Sequence, residues 1–365
     1  MKRILVSHKN NLTRAAVVVD GELEAIYSEQ LDAPHLVGNI YKGRVQNFLP
    51  GMRAAFVDIG RDKNVFLQFG AEQKFSTGQS VLIQIDKDAV GTKGARATLN
   101  ISLAGRLLIF LPASNYIGVS NKIFGEERLR LHAIAKRIRP QSSGLIVRTA
   151  AEACGEDELL ADLKGLQKLW AKISERNSKR KPPALLLSNN DIIEKIFRDE
   201  FTAETVFIVD NLKIRRRLEE FVPPEKISFH ESTEPLFEAF DVAAEISATS
   251  ERELPLPGGG RIVIDKTEAL TAIDVNTAKF VGRTDFDETI LQTNLEAATV
   301  ILKQLKLRDV GGIVIVDFID MASDAHRQQL MDFLRESARF DRNQTKIVDM
   351  TPLGLVEITR HSSRH

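Results

Sequence analysis

Cysteine is almost absent from this sequence, since Cys154 is the one cysteine among 365 residues. A single thiol excludes a disulfide framework within the chain and a cysteine-rich zinc site, which fits a reducing compartment. Long apolar runs are missing as well: none reaches the roughly 18 residues that span a bilayer, and the apolar stretch before His8 is too short for a signal sequence. We therefore expect a cytoplasmic protein with no membrane partner.

An excess of charge of either sign is also lacking, because 50 basic residues balance 50 acidic ones. Affinity for a polyanion must therefore come from local patches, in which basic side chains are segregated from acidic ones. The hydrophobic content of 43% allows several cores, and the length suggests roughly two to four domains.

Turn signals and apolar periodicity divide the chain into a β-rich start, a mixed middle and an α/β end. Asp20-Gly21 between apolar runs predicts a hairpin, and short runs broken by turns from Gly38 to about Leu103 predict a small barrel. The charged segment Arg176–Pro183 is typical of a linker, and Pro255–Gly260 marks a second break. Further predicted strands are Arg106–Pro112, Gly144–Arg148, Val206–Val209, Arg261–Asp265, Ala272–Val275 and Gly312–Phe318, and the predicted helices are Glu126–Arg139, Asp157–Asn177, Asp191–Phe201, Lys213–Phe221, Glu288–Leu305 and His326–Arg339.

Two aspartates stand at the ends of apolar strand-type runs: Asp274 ends TAID and Asp317 ends IVIVD. A carboxylate there is costly unless it is paired or binds a cation. Two such acids from neighbouring strands would suit Mg²⁺, and Asn276, on the same strand face as Asp274, could hold a phosphate oxygen or a water. Spacing alone leaves open the alternative that both aspartates cap turns. Further acids nearby in sequence are Asp265, Glu268 and Asp320.

Basic and aromatic residues are interleaved within the predicted barrel. Small barrels bind single-stranded nucleic acid by stacking bases on aromatic rings and following the backbone with cations. Composition equally allows Phe56 and Phe66 to be plain core residues, and periodicity does not decide, because Phe56 follows Ala54-Ala55 in one apolar run. The candidate binding residues are Lys42, Arg44, Phe56, Phe66, Lys93 and Arg96.

Arg148-Thr149 directly follows the apolar run Gly144–Val147. An arginine beside a hydroxyl can grip a phosphate through a forked pair of hydrogen bonds. An exposed arginine after a strand is more often only solvated, so the residues alone leave both interpretations open. The basic clusters Lys179–Lys181 and Arg215–Arg217 are likewise more typical of solvated faces than of binding sites.

Longer stretches resemble the ribonuclease E/G family, and they occur in that family's order from about residue 38 to residue 360. GNIYKG (38–43), LPGMRAAFVDIG (49–60) and GTKG (91–94) resemble its RNA-binding barrel, and GLIVRTA (144–150) resembles its 5′-sensor region. DKTEALTAIDVNT (265–277), TNLEAA (293–298), QLKLRDVGGIVIVDFID (304–320) and GLVEITR (354–360) resemble its catalytic domain.

The resemblance implies a Mg²⁺-dependent endoribonuclease that hydrolyses single-stranded RNA, such as mRNA or rRNA precursors, and leaves 5′-phosphate ends in RNA processing or decay. Asp274 and Asp317 match the family's Mg²⁺ ligands, and Asn276 matches the Asn beside the reacting phosphate. The implied RNA-binding residues are Phe56, Phe66 and Lys93, with Lys42 and Arg96 as further basic candidates, and the implied 5′-phosphate-binding pair is Arg148 and Thr149.

The family's architecture implies an α+β multidomain fold. An RNase H-like domain, residues 1–37 and 191–250, would be split by an OB-fold RNA-binding barrel at 38–105 and a 5′-sensor region at 106–190. A DNase I-like α/β catalytic domain at 251–365 would follow.

Three departures from the family pattern carry expectations of their own. The family continues into a cysteine-rich zinc link and a small dimerisation domain; with Cys154 alone that link cannot form here, so a zinc-linked oligomer is not expected. Where the family has an Arg near position 344, this sequence has Gln344, with Lys346 close by. The family's paired arginines after the Gly-Ile-Ser stretch are Asn121-Lys122 here, which predicts weakened sensing of the RNA 5′ end.

A second function class is a non-catalytic single-stranded RNA-binding protein that retains the barrel. A binder of that kind has no use for a carboxylate pair with a neighbouring amide. The joint presence of Asp274, Asn276 and Asp317 therefore favours the enzyme.

Overall fold

The computed structural model describes residues 1–28, 36–70, 73–89, 94–189, 191–277, 286–339, 341 and 343–361. The chain divides into two compact units. The first unit comprises Met1–Ser28, Thr205–Arg216 and Pro223–His365, and the second comprises Glu29–Glu204 and Arg217–Val222. Each unit is therefore assembled from separate stretches of the chain.

Strands and helices are mixed along the described chain, as the α+β prediction requires. The strands are β1 Lys2–Lys9, β2 Leu12–Val19, β3 Glu22–Ser28, β4 Ile40–Leu49, β5 Ala54–Asp58, β6 Val65–Gln68, β7 Ser80–Lys87, β8 Arg96–Thr98, β9 Leu103–Ala104, β10 Leu108–Leu111, β11 Ile117–Val119, β12 Gly144–Val147, β13 Ala184–Leu187, β14 Val206–Val209, β15 Ile227–Phe229, β16 Glu253–Pro255, β17 Arg261–Lys266, β18 Leu270–Asn276, β19 Gly312–Asp317, β20 Lys346–Met350 and β21 Leu355–Arg360. The α-helices are α1 Gly125–Ile138, α2 Glu156–Lys179, α3 Ile192–Glu200, α4 Leu212–Leu218, α5 Ala243–Ala248, α6 Phe286–Leu307 and α7 Asp324–Ala338.

One sheet of the first unit joins the N-terminal strands to strands from the middle of the chain, in the order β15-β14-β1-β2-β3. β14 runs parallel to β1 and β15, whereas β1, β2 and β3 are antiparallel. The hairpin predicted at Asp20-Gly21 is confirmed, and both residues have the positive φ (51° and 93°) that its tight turn requires. Leu5 and Val18 pack with Phe237 in the core of this sheet.

The other sheet of the first unit carries the predicted catalytic residues and has the order β16-β17-β18-β19-β21-β20. β18 and β19 are parallel and are joined through α6, as parallel neighbours must be by a crossover. Every second residue of the central strands is buried against α6 and α7. These buried residues are Ile262, Ile264, Ile273, Val275, Val314, Val316, Val356 and Ile358.

The second unit contains a closed five-stranded barrel in the order β4-β5-β6-β8-β7, in which β4 pairs with both β5 and β7. The ten residues of β4 are long enough to use one end for β7 and the other for β5. Val45, Val57, Leu67 and Ile83 fill the interior. This closed barrel is consistent with the OB-type fold that was predicted.

The second unit also contains a small sheet, β11-β12-β10-β9, packed against α1 and α2. Asp162 of α2 accepts hydrogen bonds from the backbone N–H groups of Arg106, Leu107 and Leu108, at 3.2, 2.9 and 2.9 Å. These hydrogen bonds fix α2 to the segment that leads from Gly105 into β10.

The linker predicted at Arg176–Pro183 is wrong in its first half, because α2 continues through Lys179. Lysine and arginine are good helix formers, and Lys179 donates to Glu175 one turn earlier at 2.6 Å. The helix ends shortly before Pro182, because the residue that precedes a proline disfavours helical backbone geometry.

Strands β20 and β21 were not predicted from the sequence. Within the described ranges, no helix has both the length and the apolar character needed to cross a membrane.

Candidate functional site

Asp274 and Asp317 are neighbours across the parallel pair β18–β19. Their register places Asp274 opposite Asp317, at the end of a ladder that begins with Leu270 opposite Ile313. Adjacent strands lie about 4.8 Å apart, so the two carboxylates leave the sheet side by side. Both aspartates are exposed, on the face opposite the one buried by α6 and α7. Strand pairing therefore brings together two acids that lie far apart in sequence.

Asn276 adds an amide to this carboxylate pair, because its Nδ2 donates to Oδ2 of Asp274 at 2.6 Å. Mg²⁺ is bound in proteins by one or two carboxylates and keeps several waters, so this set of hard oxygen donors fits it. Among the residues that the structure describes, no group of three or more His, Cys, Asp or Glu side chains is placed to hold a metal. The donor set fits a partly hydrated ion held by Asp274 and Asp317.

Asp265 lies on the same face of the sheet but is already neutralised. It pairs with Ala272 of β18 in register, and its carboxylate accepts two hydrogen bonds from Arg252 at 2.6 and 2.7 Å. The hydrogen bond from Arg252 lowers the pKa of Asp265. Asp265, one of the additional acids noted in the sequence, therefore adds no unpaired negative charge beside Asp274.

Asn294 of α6 holds the chain just beyond Asp317, a role that was not predicted from the sequence. Its Nδ2 donates to the carbonyl of Ile319 at 2.8 Å, and its Oδ1 accepts from the N–H of Ile319 at 3.0 Å. The side chain is completely buried. The sequence does contain a sign of this role, because Asn294 is a polar residue inside the largely apolar helical run TNLEAATVIL. A buried amide side chain must find hydrogen-bond partners. Asn294 is a positioning residue for the end of β19.

Phe56 and Phe66 form a pair on the outer surface of the barrel. They are opposite one another on β5 and β6, with ring centroids 5.9 Å apart and an interplanar angle of 66°. Phe56 is 36% exposed, whereas its neighbours Ala55 and Val57 are buried completely. Phe56 is therefore not a core residue, because its side chain points out of the barrel. Together with Phe66 it forms an edge-to-face aromatic pair on the outer surface.

The basic candidates of the barrel differ in their surroundings. Arg96 lies opposite Phe66 in register, but it forms an ion pair with Asp86 at 2.6 Å that raises the pKa of Arg96. Nζ of Lys42 donates to the carbonyl of Asn177, in the last turn of α2, at 2.6 Å. Lys93 lies outside the described residues. Beside Arg96 is an open cleft of about 500 Å³ whose polar lining includes Gln68, Gln73, Asp86, Arg96, Thr98 and Asn100.

Arg148 is held from several sides at the end of β12. Nη2 pairs with Asp199 at 2.7 Å, and Nη1 donates to the carbonyl of Gly105 at 2.6 Å. Burial alone would raise the pKa of Asp199, but the hydrogen bonds and charges of Arg198 and Arg148 outweigh it and lower that pKa. Asp199 is therefore charged at neutral pH and neutralises part of the charge that the 5′-phosphate prediction assigned to Arg148.

Thr149 has a different neighbour from Arg148. Its hydroxyl lies 2.8 Å from the hydroxyl of Ser120, and both residues are at least partly exposed. Arg128 of α1 donates to the carbonyls of Ser120 and Ile123, at 2.7 and 3.3 Å, and fixes that loop. Ser120, for which the sequence predicted no role, completes a hydroxyl pair with Thr149.

The architecture is a mixed α+β chain with a closed OB-like barrel, a type of barrel that in other proteins binds oligonucleotides or oligosaccharides. The family model described as "Ribonuclease E/G family" matches residues 102–363, and the chain belongs to this family. The predicted family and the predicted enzyme class, an endoribonuclease, are confirmed by this membership.

Named relatives agree with the family match over nearly the whole chain. Ribonuclease G of Escherichia coli K12 is 39% identical over 394 aligned positions, which cover 99% of this chain and 80% of that protein. Ribonuclease G of Haemophilus influenzae is 37% identical, with 99% and 79% covered. Ribonuclease E of a Nostoc species is 35% identical, with 98% of this chain but only 55% of the longer relative covered.

Proposed function

We propose that the chain is a Mg²⁺-dependent endoribonuclease that hydrolyses single-stranded RNA in RNA processing or decay and leaves 5′-phosphate ends. The observation that carries this proposal is the side-by-side position of Asp274 and Asp317 on an open sheet face. A protein that only bound RNA would gain nothing from two adjacent carboxylates, because they repel the phosphate backbone unless a cation is held between them.

Asp274 and Asp317 would hold the ion, and Asn276 orients the carboxylate of Asp274 through its hydrogen bond. A bound divalent ion supplies Lewis-acid polarisation of a phosphoryl oxygen and lowers the pKa of a water. In the hydrolysis, the oxygen of water bonds to phosphorus and the bond from phosphorus to O3′ breaks. The proton passes to O3′, so the upstream product ends in a 3′-hydroxyl and the downstream product keeps the 5′-phosphate.

The barrel is proposed to select unpaired RNA. The outward rings of Phe56 and Phe66 offer stacking surfaces for bases, and a base is free to stack on a side chain only when it has left a duplex. Arg96, Lys42 and Lys93 are proposed to contact the backbone nearby, with Arg96 weakened by its pairing to Asp86. Arg148 and Thr149 are proposed to contact a 5′-phosphate.

The test is cleavage of an end-labelled single-stranded RNA with Mg²⁺ and with EDTA. Asp274→Asn and Asp317→Asn should each lower the cleavage rate by orders of magnitude, because charge stabilisation of the transition state is lost, while RNA binding remains nearly intact. The matched control is Asp265→Asn, which removes an acid from the same sheet face that Arg252 already neutralises; it should cleave normally.

Product ends are then examined with an exonuclease that requires a 5′-monophosphate. Degradation of the downstream fragment is expected. Normal turnover of either Asp274→Asn or Asp317→Asn would overturn the site assignment, and binding without any cleavage by the unaltered protein would favour the non-catalytic alternative.

A further inference from the structure

The exposed side of α2 carries a row of three lysines, Lys164, Lys168 and Lys172, which form the α2 lysine face. Lys164, Lys168 and Lys172 follow one another at intervals of four residues, which places them on the same side of the helix. All three are exposed, while Leu163, Leu166 and Ile173 bury the opposite side in the core of the second unit. The helix is therefore anchored by its apolar side and presents cations to solvent.

This charge is not neutralised by the protein itself. Within the described part of the chain, none of the three lysines forms an ion pair, whereas several arginines of the same unit do: Arg96 with Asp86, Arg130 with Glu127, Arg137 with Glu156 and Arg148 with Asp199. Residues 163–181 contain seven basic side chains and one acid, Glu175, and that acid is bonded to Lys179.

An accumulation of this kind stands out in a chain with equal numbers of basic and acidic residues. Like charges four residues apart on a helix repel and destabilise it. Gly165, also exposed on α2, adds a further cost, because glycine is a poor helix former. The α2 lysine face thus weakens the helix in isolation, and a polyanion bound to it would relieve the repulsion.

The spacing of the lysines suits a phosphate backbone. Four residues of helix rise by about 6 Å, so the three lysines form a straight row of cations along which a flexible single strand can place its phosphates. The row carries no outward aromatic ring: Trp170, the one tryptophan of the chain, is half-buried and packs against the core. Contacts from this face would therefore be to phosphates and would not depend on base sequence.

We propose that Lys164, Lys168 and Lys172 bind the phosphate backbone of the RNA substrate, at nucleotides beyond those that are cleaved. The inference rests on the proposed function, since it takes RNA as the substrate. The α2 lysine face shares no residue with the proposed cleavage site, so a short RNA that just spans that site is expected not to require this face. Long substrates bind more tightly through it, and short ones do not.

The experiment measures RNA affinity of the whole chain in EDTA, so that no cleavage occurs, over a range of salt concentrations. A long unstructured RNA is compared with a short one that just spans a cleavage site. For the long RNA, the variant Lys164→Gln/Lys168→Gln/Lys172→Gln should lower the slope of log affinity against log salt by about 2, since each phosphate contact to a single strand contributes about 0.7. Binding of the short RNA, and its cleavage in a separate assay with Mg²⁺, should be unchanged.

Two controls separate this effect from folding and from net charge. Lys164→Arg/Lys168→Arg/Lys172→Arg keeps the cations and should keep the slope. Lys9→Gln/Lys213→Gln/Arg216→Gln removes the same charge from exposed positions of the first unit and should change the slope much less. Helicity by circular dichroism should be undiminished in the α2 glutamine variant, because it removes like-charge repulsion.

An unchanged slope in the α2 glutamine variant, or an equal loss in the first-unit control, overturns the inference. If the α2 variant instead loses binding to vesicles of anionic lipid with its RNA slope intact, the face is a membrane contact and the inference is equally overturned. Failure of the proposed function looks different: the unaltered protein would then not cleave even the short RNA with Mg²⁺.

Discussion

At the scale of single residues, the direction of one aromatic ring decides what the barrel can do. Phe56 faces outward between two completely buried neighbours, so its proposed role is to offer a stacking surface to a base rather than to pack the core. Phe56→Ala should weaken single-stranded RNA binding by about 1–3 kcal/mol, the usual value of one base–aromatic stack. Fluorescence anisotropy gives the affinity and a thermal melt gives the stability.

Val57→Ala is the matched control for Phe56→Ala, because Val57 is the next residue and points into the barrel. It should lower the melting temperature through a cavity, with RNA affinity retained by the folded protein. The stacking role is unsupported if Phe56→Ala binds RNA normally, or if it melts as early as Val57→Ala.

Arg96 shows how an acid can limit the contribution of a basic residue. Its guanidinium is paired with Asp86, so its charge is largely cancelled as seen by a phosphate. Arg96→Gln should therefore change RNA affinity less than twofold. Asp86→Asn should strengthen binding and steepen the salt dependence by about 0.7, one additional phosphate contact. Titrations at several salt concentrations measure both variants, and a loss above tenfold in Arg96→Gln would contradict this account.

At the scale of secondary-structure elements, the clamp from α6 to the segment after β19 is expected to control the geometry of Asp317. Asn294→Ala leaves both the N–H and the carbonyl of Ile319 without their buried partner, at a cost of about 1–3 kcal/mol for each such group. The displaced strand end should lower kcat far more than it raises KM, because small misplacements of reacting groups are expensive. Steady-state cleavage kinetics and a denaturant titration give the two effects.

Gln304→Ala provides the comparison for Asn294→Ala. Gln304 is another buried polar residue of α6, bonded to Arg308 at 2.7 Å. Its removal should reduce stability while kcat stays normal. A proportional loss of kcat in both variants would mean that α6 acts on the site only through overall stability.

The elements themselves could be predicted well where apolar periodicity is strong, and poorly where it is interrupted. TAID and IVIVD identified β18 and β19, and hydrophobic spacing identified α2, α6 and α7. The pairing of β18 with β19 could not be derived from local pattern, because strand neighbours are set by contacts distant in sequence. β20 and β21 were missed although LVEITR alternates clearly; β20 departs from regular alternation where its register shifts between Ile347 and Met350.

The ion-pair partners of the charged residues could not be predicted from the sequence either. Arg148 and Arg96 were identified as cations that could bind phosphate, but Asp199 and Asp86 are respectively 51 and 10 positions away. Pairing of this kind depends on the fold as a whole. The residue types at a candidate site were therefore predictable, while their effective charge was not.

At the scale of the whole molecule, the chain order and the spatial grouping differ. β1 to β3 share a sheet with β14 and β15, and the barrel and its neighbouring sheet lie between them in sequence. Composition and spacing did not indicate that the barrel is inserted between strands of one sheet. Only the family resemblance predicted this insertion. The domain limits drawn from that resemblance remain predictions.

The proposed sensing of the RNA 5′ end belongs to the scale of the whole molecule, because Arg148 and Thr149 lie in the second unit and the carboxylate pair lies in the first. Arg148 has Asp199 and the Gly105 carbonyl as partners, so a phosphate has to share its guanidinium with an acid. The sequence also has Gln344 and Asn121 where the family has cations, which leaves Lys122 and Lys346 as less directional charges.

We therefore expect a 5′-monophosphate to accelerate cleavage by a few-fold at most, relative to a 5′-hydroxyl on the same RNA, since a strong response requires a bidentate arginine free to bind the phosphate. The measurement is the ratio of initial rates on the two RNAs, repeated with Arg148→Ala and with Thr149→Val. Arg148→Ala should bring the ratio close to one, and Thr149→Val should reduce it less, because Ser120 still offers a hydroxyl at the same place. A large ratio in the unaltered protein that Arg148→Ala abolishes would show that the phosphate displaces Asp199 from Arg148, and that the missing cations matter less than the arginine itself.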